Sequence, residues 1–286
     1  RSFLVGITHT KALSWAAAIA VLINIPLNFY LIFTRELGIS GAAIASSLAE
    51  MGSFMMLSFY MWIRLDKEKY GLRPVYNGNL LIKVLKLSTW SMLHALISVA
   101  PWFLFFVSIE HLGKIELAIS NITRSVSAIF FVIANSFALT TGSLVSNAIG
   151  AGEGKTLFSI CSKILKLGYT IGFPLVAIAL LCNRWIIGFY TSNELLIQLA
   201  FAPFVVMLLN YTFALPGYVY LNAVGGTGKT QMTFLFQVTT TAIYLVYLYW
   251  LGRYTQAPLA IYLTAEYVFV ILLATQSIFY LKKKHY

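Results

Sequence analysis

Charged residues are scarce in this sequence. Of its 286 residues, 10% are Asp, Glu, Lys or Arg, against roughly 25% in an average soluble domain. The hydrophobic share is 59%, and the mean hydropathy is +0.81. A composition so poor in charge excludes a soluble globular domain, a disordered chain and a coiled coil. It leaves a polytopic membrane protein as the class that the composition fits.

Aspartate and cysteine are almost absent. Asp66 is the one aspartate, and Cys161 and Cys182 are the two cysteines. A catalytic Ser–His–Asp set cannot be assembled around one Asp in a polar loop, and no His/Cys/Asp cluster has the spacing of metal ligands. The two cysteines lie near opposite ends of one apolar segment, roughly 30 Å apart along a helix, which is too far for a disulfide. We therefore expect neither an enzyme nor a resident cofactor.

Long uncharged runs are the dominant pattern. A helix needs about 20 apolar residues to cross the hydrocarbon core, and β-barrel strands would instead alternate apolar and polar residues. Runs such as 16–22 and 129–134 do not alternate. The sequence therefore predicts an all-α polytopic membrane protein with eight transmembrane helices. Their predicted ranges are 12–34, 37–63, 87–109, 125–152, 167–183, 195–228, 230–252 and 254–281.

Basic residues are distributed unevenly between the two sides of this membrane topology. Lys and Arg number 20 and Asp and Glu 9, which gives a net charge of +11. Fifteen loop cations fall on the side that holds both chain ends, and four fall on the other side. Cationic loops are retained in the cytoplasm. The excess of basic residues therefore indicates how the protein is oriented in the membrane. We expect no nucleic-acid partner. We expect a multi-pass protein of the cell inner (plasma) membrane, with both ends of this chain cytoplasmic.

The start of the chain recurs late in it. Aligning the two segments places Thr10 on Thr230, and each is followed by two apolar helices, the second of which carries one glutamate, Glu50 or Glu266. Repeated helix sets of this kind are an architecture of secondary transporters. The longest polar stretch predicts a cytoplasmic linker over 64–80, which divides the chain into residues 1–63, with two helices, and residues 81–286, with six.

Several short motifs follow one another in a fixed order along nearly the whole chain. They are Phe3-Leu-Val-Gly-Ile-Thr-His-Thr-Lys11, Leu22-Ile-Asn-Ile-Pro-Leu-Asn28, Gly41-Ala-Ala-Ile-Ala-Ser46, Trp102-Phe-Leu-Phe-Phe106, Ile109-Glu-His-Leu-Gly113, Leu117-Ala-Ile-Ser-Asn-Ile-Thr-Arg-Ser125, Ile149-Gly-Ala-Gly152 and Asn222-Ala-Val-Gly-Gly-Thr-Gly-Lys-Thr230. In their order and spacing they make the chain resemble the multidrug and toxic-compound extrusion (MATE) transporters, a twelve-helix family of two six-helix lobes.

This resemblance has definite implications for architecture and function. The eight spans would match helices five to twelve, a partial first lobe plus a complete six-helix second lobe, with four N-terminal helices missing. The implied function is secondary active transport, an antiport coupled to Na⁺ or H⁺ that exports organic cations or drugs by alternating access. A lipid-linked oligosaccharide flippase of the same superfamily is the alternative. The implied partners are a small-molecule organic substrate, the coupling cation, membrane lipids and the missing helices.

A candidate cation site lies in the first two spans. Asn24 and Asn28 are four residues apart and share a helix face, and Pro26 between them frees a backbone carbonyl. Such hard oxygen ligands suit sodium. Two amides packing across a proline kink are the other interpretation. The resemblance matches Asn24 to an Asn and Ser46 to a hydroxyl of the family's first-lobe cation site, whereas Asn28 stands where many members have Asp.

Charged residues within spans are the remaining candidates, because they are costly in a membrane. Glu50 and Glu266 are predicted buried carboxylates, either ligands for a proton or cation or carboxyls bonded to a neighbouring helix. Arg124, with Asn121 one turn earlier, could snorkel outward or face a wet substrate cavity. The resemblance favours the cavity, which this helix lines in the family.

His94 in the third span could carry a proton or pack against a neighbouring helix. The family's second-lobe cation site uses acids on helices seven and ten. The third and sixth spans, which match those helices, have no acid. We therefore place His94 with the substrate cavity and expect no carboxylate-based cation site in the second lobe.

Overall fold

The computed structural model describes residues 2–7, 9–66, 68, 70, 77–254 and 257–284. Within these ranges the chain forms helices and no strands. The described residues contain eight helical segments long and apolar enough to cross a membrane. The predicted all-α architecture with eight spans is therefore confirmed. The segments are Thr10–Thr34, Gly38–Arg64, Gly78–Leu112, Lys114–Gly150, Gly154–Leu181, Glu194–Gly226, Thr230–Tyr254 and Leu259–Lys283.

The described residues form twelve α-helices, ten of which lie in the spans, together with a π-helical turn at Tyr30–Thr34 and two 3₁₀ turns at Glu110–Leu112 and Gly154–Thr156. The helices are α1 (Ser2–Gly6), α2 (Thr10–Phe29), α3 (Gly38–Arg64), α4 (Gly78–Ile109), α5 (Lys114–Gly150), α6 (Leu157–Leu181), α7 (Asn183–Gly188), α8 (Glu194–Leu209), α9 (Tyr211–Gly226), α10 (Thr230–Tyr254), α11 (Leu259–Leu263) and α12 (Ala265–Lys283).

Three helices begin well before the predicted spans. The spans were expected to start at 87, 125 and 167, but α4, α5 and α6 start at Gly78, Lys114 and Leu157. The extra turns contain Lys and Arg side chains, which a search for uncharged runs excludes. Long basic side chains near helix ends can keep their charge in water while the backbone stays helical. In α4 and α6 charge therefore marks the limit of the apolar core and not the end of the helix, whereas in α5 the charge at the predicted limit, Arg124, is buried.

The chain divides into two compact units, Arg1–Gly78 and Asn79–Tyr286. The division falls inside the predicted linker at 64–80. Residues 67, 69 and 71–76 of that linker lie outside the described residues, and its last three residues already belong to α4.

The first unit is a hairpin of α2 and α3. α3 approaches the π-helical turn at the end of α2 closely at Gly41, where an added Cβ would lie 2.9 Å from the backbone of Leu31. The π-helical turn ends α2, and Arg35 Nε donates a hydrogen bond to Tyr30 Oη over 2.8 Å. The core of this unit is small, and most of the surface of both helices is exposed. Its fully buried apolar side chains include Leu4, Ala12, Ala16, Leu57 and Leu65.

The second unit packs six spans around α9, which contacts α5, α6, α10 and α12. Close approach is possible because α9 presents glycines at its crossings. A Cβ on Gly217 would lie 2.7 Å from the carbonyl oxygen of Val270, and one on Gly226 would lie 2.5 Å from that of Gly142. Small residues at helix crossings let backbones meet at van der Waals distance, which is how membrane helices associate without a hydrophobic driving force between them.

The sixth span is interrupted. The sequence predicts one continuous segment over 195–228, but the structure has two helices, α8 and α9, which meet at a turn at Asn210. Next to this turn the carbonyl of Val206 accepts hydrogen bonds both from the amide of Asn210 (3.2 Å) and from the hydroxyl of Tyr267 (2.5 Å). A side chain that competes for a helix carbonyl weakens the regular ladder at that position. Apolar composition alone does not reveal such a break.

Two tyrosines join α6 to α9 reciprocally. Pro216 has no N–H, so the carbonyl of Thr212 one turn earlier lacks its helical donor. Tyr169 Oη of α6 donates to that carbonyl over 2.7 Å, and Tyr211 Oη of α9 donates to the carbonyl of Gly168 over 2.9 Å. We call this pair of bonds the tyrosine clasp. It places α6 and α9 in one register.

Candidate functional site

The first unit brings the predicted cation-site residues together. Asn28 Nδ2 donates to Asn24 Oδ1 over 2.7 Å, and Asn24 Nδ2 donates to Ser46 Oγ over 3.3 Å. The four-residue spacing on α2 aligns the two amides, and the hairpin places α3 beside them. The Oδ1 atom of Asn28 is buried and accepts no hydrogen bond from a described residue. The chain of amides fits helix packing, and the unused oxygen fits a cation ligand, so both interpretations stay open.

Glu50 belongs to α3 of the first unit. Within the described part of the chain its side chain is exposed, so burial of this carboxylate in the whole protein stays a prediction. The physical reason for the exposure is the size of the first unit. A hairpin of two helices cannot surround a side chain on all sides, so the described residues alone leave the carboxylate of Glu50 at the surface of this unit.

Arg124 and Glu266 form an ion pair inside the second unit. Arg124 Nη2 lies 2.7 Å from Glu266 Oε1, and the two side chains are 2% and 11% exposed. The guanidinium carbon lies 4.2 Å from the ring centre of Phe105, 4.9 Å from that of Trp102 and 5.3 Å from that of Phe106. Aromatic faces attract cations in desolvated surroundings. Arg124 is therefore enclosed by rings and a carboxylate, and the snorkelling alternative is wrong.

Glu266 is bonded to two neighbouring helices. Its Oε1 atom accepts from Arg124 of α5 and also from Tyr244 Oη of α10, the latter over 3.2 Å. Buried charges in proteins persist when they are paired and hydrogen-bonded, since isolation would cost several kcal/mol. This arrangement corresponds to the interpretation of Glu266 as a carboxyl that holds helices together. Glu266 also reaches the walls of two cavities, so it is not buried on all sides.

The larger cavity has a volume of about 330 Å³ and lies among α4, α5, α9, α10 and α12. Its wall combines hydrogen-bonding side chains with aromatic faces, which is the usual make-up of a site for a small organic molecule. The polar lining consists of His94, Ser98, Asn135, Asn222, Gln237 and Glu266, and the aromatic lining of Trp102, Phe131, Tyr218 and Phe269.

A smaller cavity of about 50 Å³ shares Glu266, Trp102 and Tyr218 with the larger one and extends to the break in the sixth span. Asn210 lies in its wall, and the Oδ1 atom of Asn210 is buried without a hydrogen-bond donor among the described residues. A space of this size has room for a few water molecules at most.

The predicted substrate-cavity residues are therefore separated. His94 lies in the wall of the larger cavity. Arg124 lies behind that wall as the partner of Glu266. Asn121 is exposed and lines neither of these two cavities, so its assignment to a substrate cavity stays a prediction.

Sequence reasoning missed other residues of this site. Tyr244, Asn135 and Gln237 lie in spans and received no role. A signal for the ion pair was present, since charged residues inside membrane spans tend to pair with one another. Arg124 and Glu266 are mid-span charges of opposite sign in the same six-helix set, and we interpreted them separately.

The fold and the site together define a class. Eight apolar helices, a buried ion pair and a cavity with polar and aromatic lining within six of those helices are features of polytopic membrane transporters. A family model described as MatE matches residues 91–250, which is more than half of the chain. The chain belongs to the MATE family, as its motifs led us to expect, and that family consists of transporters and not enzymes.

Relatives agree with this assignment. The chain is 25% identical over 207 residues to the "Probable multidrug resistance protein NorM" of Photorhabdus laumondii, which covers 70% of this chain and 45% of that protein. It is 28% identical over 139 residues to "Multidrug and toxin extrusion protein 1" of Mus musculus, covering 47% and 24%. The chain thus spans less than half the length of these curated relatives.

Solved structures share the fold. The outward-facing conformation of a multidrug resistance MATE family transporter of the MOP superfamily superposes with a TM-score of 0.82 at 18% identity. The match covers 95% of this chain and 61% of that one. At this level of identity the likeness establishes the fold alone.

Proposed function

We propose that the native protein containing this chain is a secondary active transporter. It exports organic cations or drugs by alternating access, in exchange for Na⁺ or H⁺. The observation that carries the proposal is the cavity of about 330 Å³ with polar and aromatic lining inside a membrane-embedded helix bundle. A purely structural membrane protein has no need of such a space. The relatives named for multidrug resistance and toxin extrusion support the same function.

The second candidate, a flippase for lipid-linked oligosaccharides, is less well supported. Such a protein would present several cationic side chains to the phosphates of its substrate. Among the described residues that line the two cavities there is no Lys or Arg. The nearby Arg124 already has a carboxylate partner.

We assign the coupling cation to the first unit, with sodium as the ion. Asn24, Asn28 and Ser46 offer neutral oxygens in one hydrogen-bonded chain. Sodium needs several oxygen ligands, whereas a proton needs a group that titrates. The unused Asn28 Oδ1 atom supplies one such ligand. Further ligands would come from the four additional helices that the family architecture implies. The bias of basic loops supports an inner-membrane protein with both ends of this chain cytoplasmic.

The test is efflux of a fluorescent organic cation from cells or vesicles under an imposed sodium or proton gradient. Asn24→Ala and Ser46→Ala should reduce sodium-driven export about tenfold, because each removes a ligand. Ser47→Ala is the matched control. Its exposed hydroxyl bonds only to the carbonyl of Ala43 in its own helix, so export should be unchanged.

Asn28→Asp sharpens the same test. The substitution adds a formal charge to the candidate site and should tighten sodium binding. Parental export by Asn24→Ala under both gradients would show that the amides of α2 only pack helices. Export that follows the proton gradient alone would replace sodium by H⁺ and leave the transport function standing.

A further inference from the structure

The larger cavity of the second unit has an unusual charge balance. Of the described residues that line it, Glu266 is the one carboxylate, and none is Lys or Arg. The other polar groups are amides, hydroxyls and the imidazole of His94. Any preference of this cavity for a charged ligand therefore depends on how much of the negative charge of Glu266 remains uncompensated at the position of the ligand.

Arg124 controls that quantity. Its guanidinium lies 2.7 Å from Glu266 Oε1, and the pair is screened from water because the side chains are 2% and 11% exposed. Three aromatic rings hold the guanidinium carbon in place at 4.2–5.3 Å. The Nε and Nη1 atoms of Arg124 make no hydrogen bond with a described residue, and its Nη2 atom donates to the carboxylate of Glu266.

We infer that Arg124 determines the charge selectivity of this cavity. By pairing with Glu266 it cancels the one carboxylate charge of the described wall. A flat aromatic ligand in the cavity then contacts hydrogen-bonding groups and ring faces, and the net electrostatic potential of the wall is small. The cavity therefore binds a cation and its uncharged isostere about equally. The inference rests on the proposed function and widens its substrate class from organic cations to aromatic compounds with or without a positive charge.

Removal of the Arg124 charge reverses this balance. An unpaired carboxylate near the protein surface or in a wet cavity favours a cation at contact distance by about 10- to 100-fold over a neutral guest, even after strong screening. Removal of both charges returns the wall to neutrality. Selectivity should therefore follow the sum of the two charges and not the presence of either side chain.

The test measures dissociation constants by ligand fluorescence on the purified native protein at pH 8, where an imidazole is ordinarily uncharged. The probes are N-methylacridinium, a permanent cation, and 9-methylacridine, its uncharged isostere. The parent should bind both within about threefold. Arg124→Leu should prefer the cation by 10- to 100-fold. The double variant Arg124→Leu/Glu266→Gln should regain the parental ratio.

The double variant keeps the inference testable if the single variant Arg124→Leu does not fold. Breaking a buried pair on one side is strongly destabilising, whereas replacing both partners is usually tolerated. A parent that prefers the cation by more than tenfold, a double variant that departs from the parental ratio, or a parent that binds neither probe overturns the inference.

A cavity-filling variant locates the binding. Asn135 lines the cavity, and Asn135→Phe should weaken the binding of both probes by the same factor. Unchanged binding would place the guests elsewhere and overturn the inference. The proposed function is judged separately by transport. A parent that binds both probes equally but exports neither supports the inference and refutes the transport proposal.

Discussion

The two units of this chain treat their mid-membrane polar residues in opposite ways. The second unit encloses Glu266 between Arg124 and Tyr244, whereas the first leaves Glu50 exposed. The alignment of the two chain segments gives both glutamates the same place in a repeat, and α2 and α10 do begin at the two aligned threonines. Within the described residues, equal position in a repeat therefore does not ensure equal surroundings. The six helices of the second unit surround Glu266, whereas the two described spans of the first unit do not surround Glu50.

The largest expected difference between the units concerns these two glutamates. Glu266→Gln leaves the guanidinium of Arg124 buried without a countercharge, which should cost about 3–5 kcal/mol of unfolding free energy. Glu50→Gln changes a side chain that is exposed in this chain and should cost less than about 1 kcal/mol. Thermal unfolding of the purified 286-residue chain, followed by intrinsic fluorescence, measures both. Equal losses in the two variants would contradict the contrast between an enclosed and an exposed carboxylate.

A smaller difference is expected at the glycines of the helix crossings. A Cβ on Gly217 would lie 2.7 Å from a backbone oxygen of α12, whereas one on Gly52 would lie 2.8 Å from Ile23 Cδ1, the flexible end of a side chain. Gly217→Ala should destabilise by about 1–3 kcal/mol through overpacking. Gly52→Ala should be nearly neutral, because Ala favours helix and Ile23 can turn aside. The same unfolding measurement applies, and a neutral Gly217→Ala would show that α9 and α12 can separate freely.

The smallest difference is expected for two tyrosine hydroxyls. Tyr169→Phe leaves the carbonyl of Thr212 without a donor, and Pro216 cannot replace it, so the cost should be about 1–2 kcal/mol. Tyr60 Oη in the first unit lies 3.0 Å from His9 Nδ1 in half-buried surroundings, where water can take over, and Tyr60→Phe should cost about 0.5 kcal/mol. If Tyr60→Phe costs more unfolding free energy than Tyr169→Phe, the tyrosine clasp does not stabilise the fold.

Much of the fold follows from composition. The membrane imposes a minimum length and apolarity on each span, and these two conditions alone predict eight helices of the correct type. Helix ends were less predictable, because Lys and Arg are compatible with a helix that leaves the apolar core. The interruption at Asn210 depends on a tyrosine hydroxyl from α12. A contact between residues 61 positions apart has no local signature in the sequence.

The candidate site was only partly predictable for the same reason. The alignment of Asn24 with Asn28 is local, since it depends on helical spacing, and the structure shows it. The partner of Arg124 lies 142 residues away in the sequence. Very few charged residues lie in the middle of a span, so Glu266 could have been predicted from the sequence as the partner of Arg124. The shape of the cavity around the pair could not, because it depends on how α4 and α10 pack against the others.

The tyrosine clasp has a mechanical consequence for any transport cycle. Tyr169 of α6 donates to the carbonyl of Thr212 in α9, and Tyr211 of α9 donates to the carbonyl of Gly168 in α6. Each tyrosine thus lies beside the residue whose carbonyl accepts from the other tyrosine. The two bonds together oppose sliding of the helices in either direction. A shift of one helix along the other by a single residue would break both bonds at once. We therefore expect α6 and α9 to move together, since sliding of one along the other would lose both hydrogen bonds. The bending and rocking that open and close a transporter then fall to other joints of the molecule.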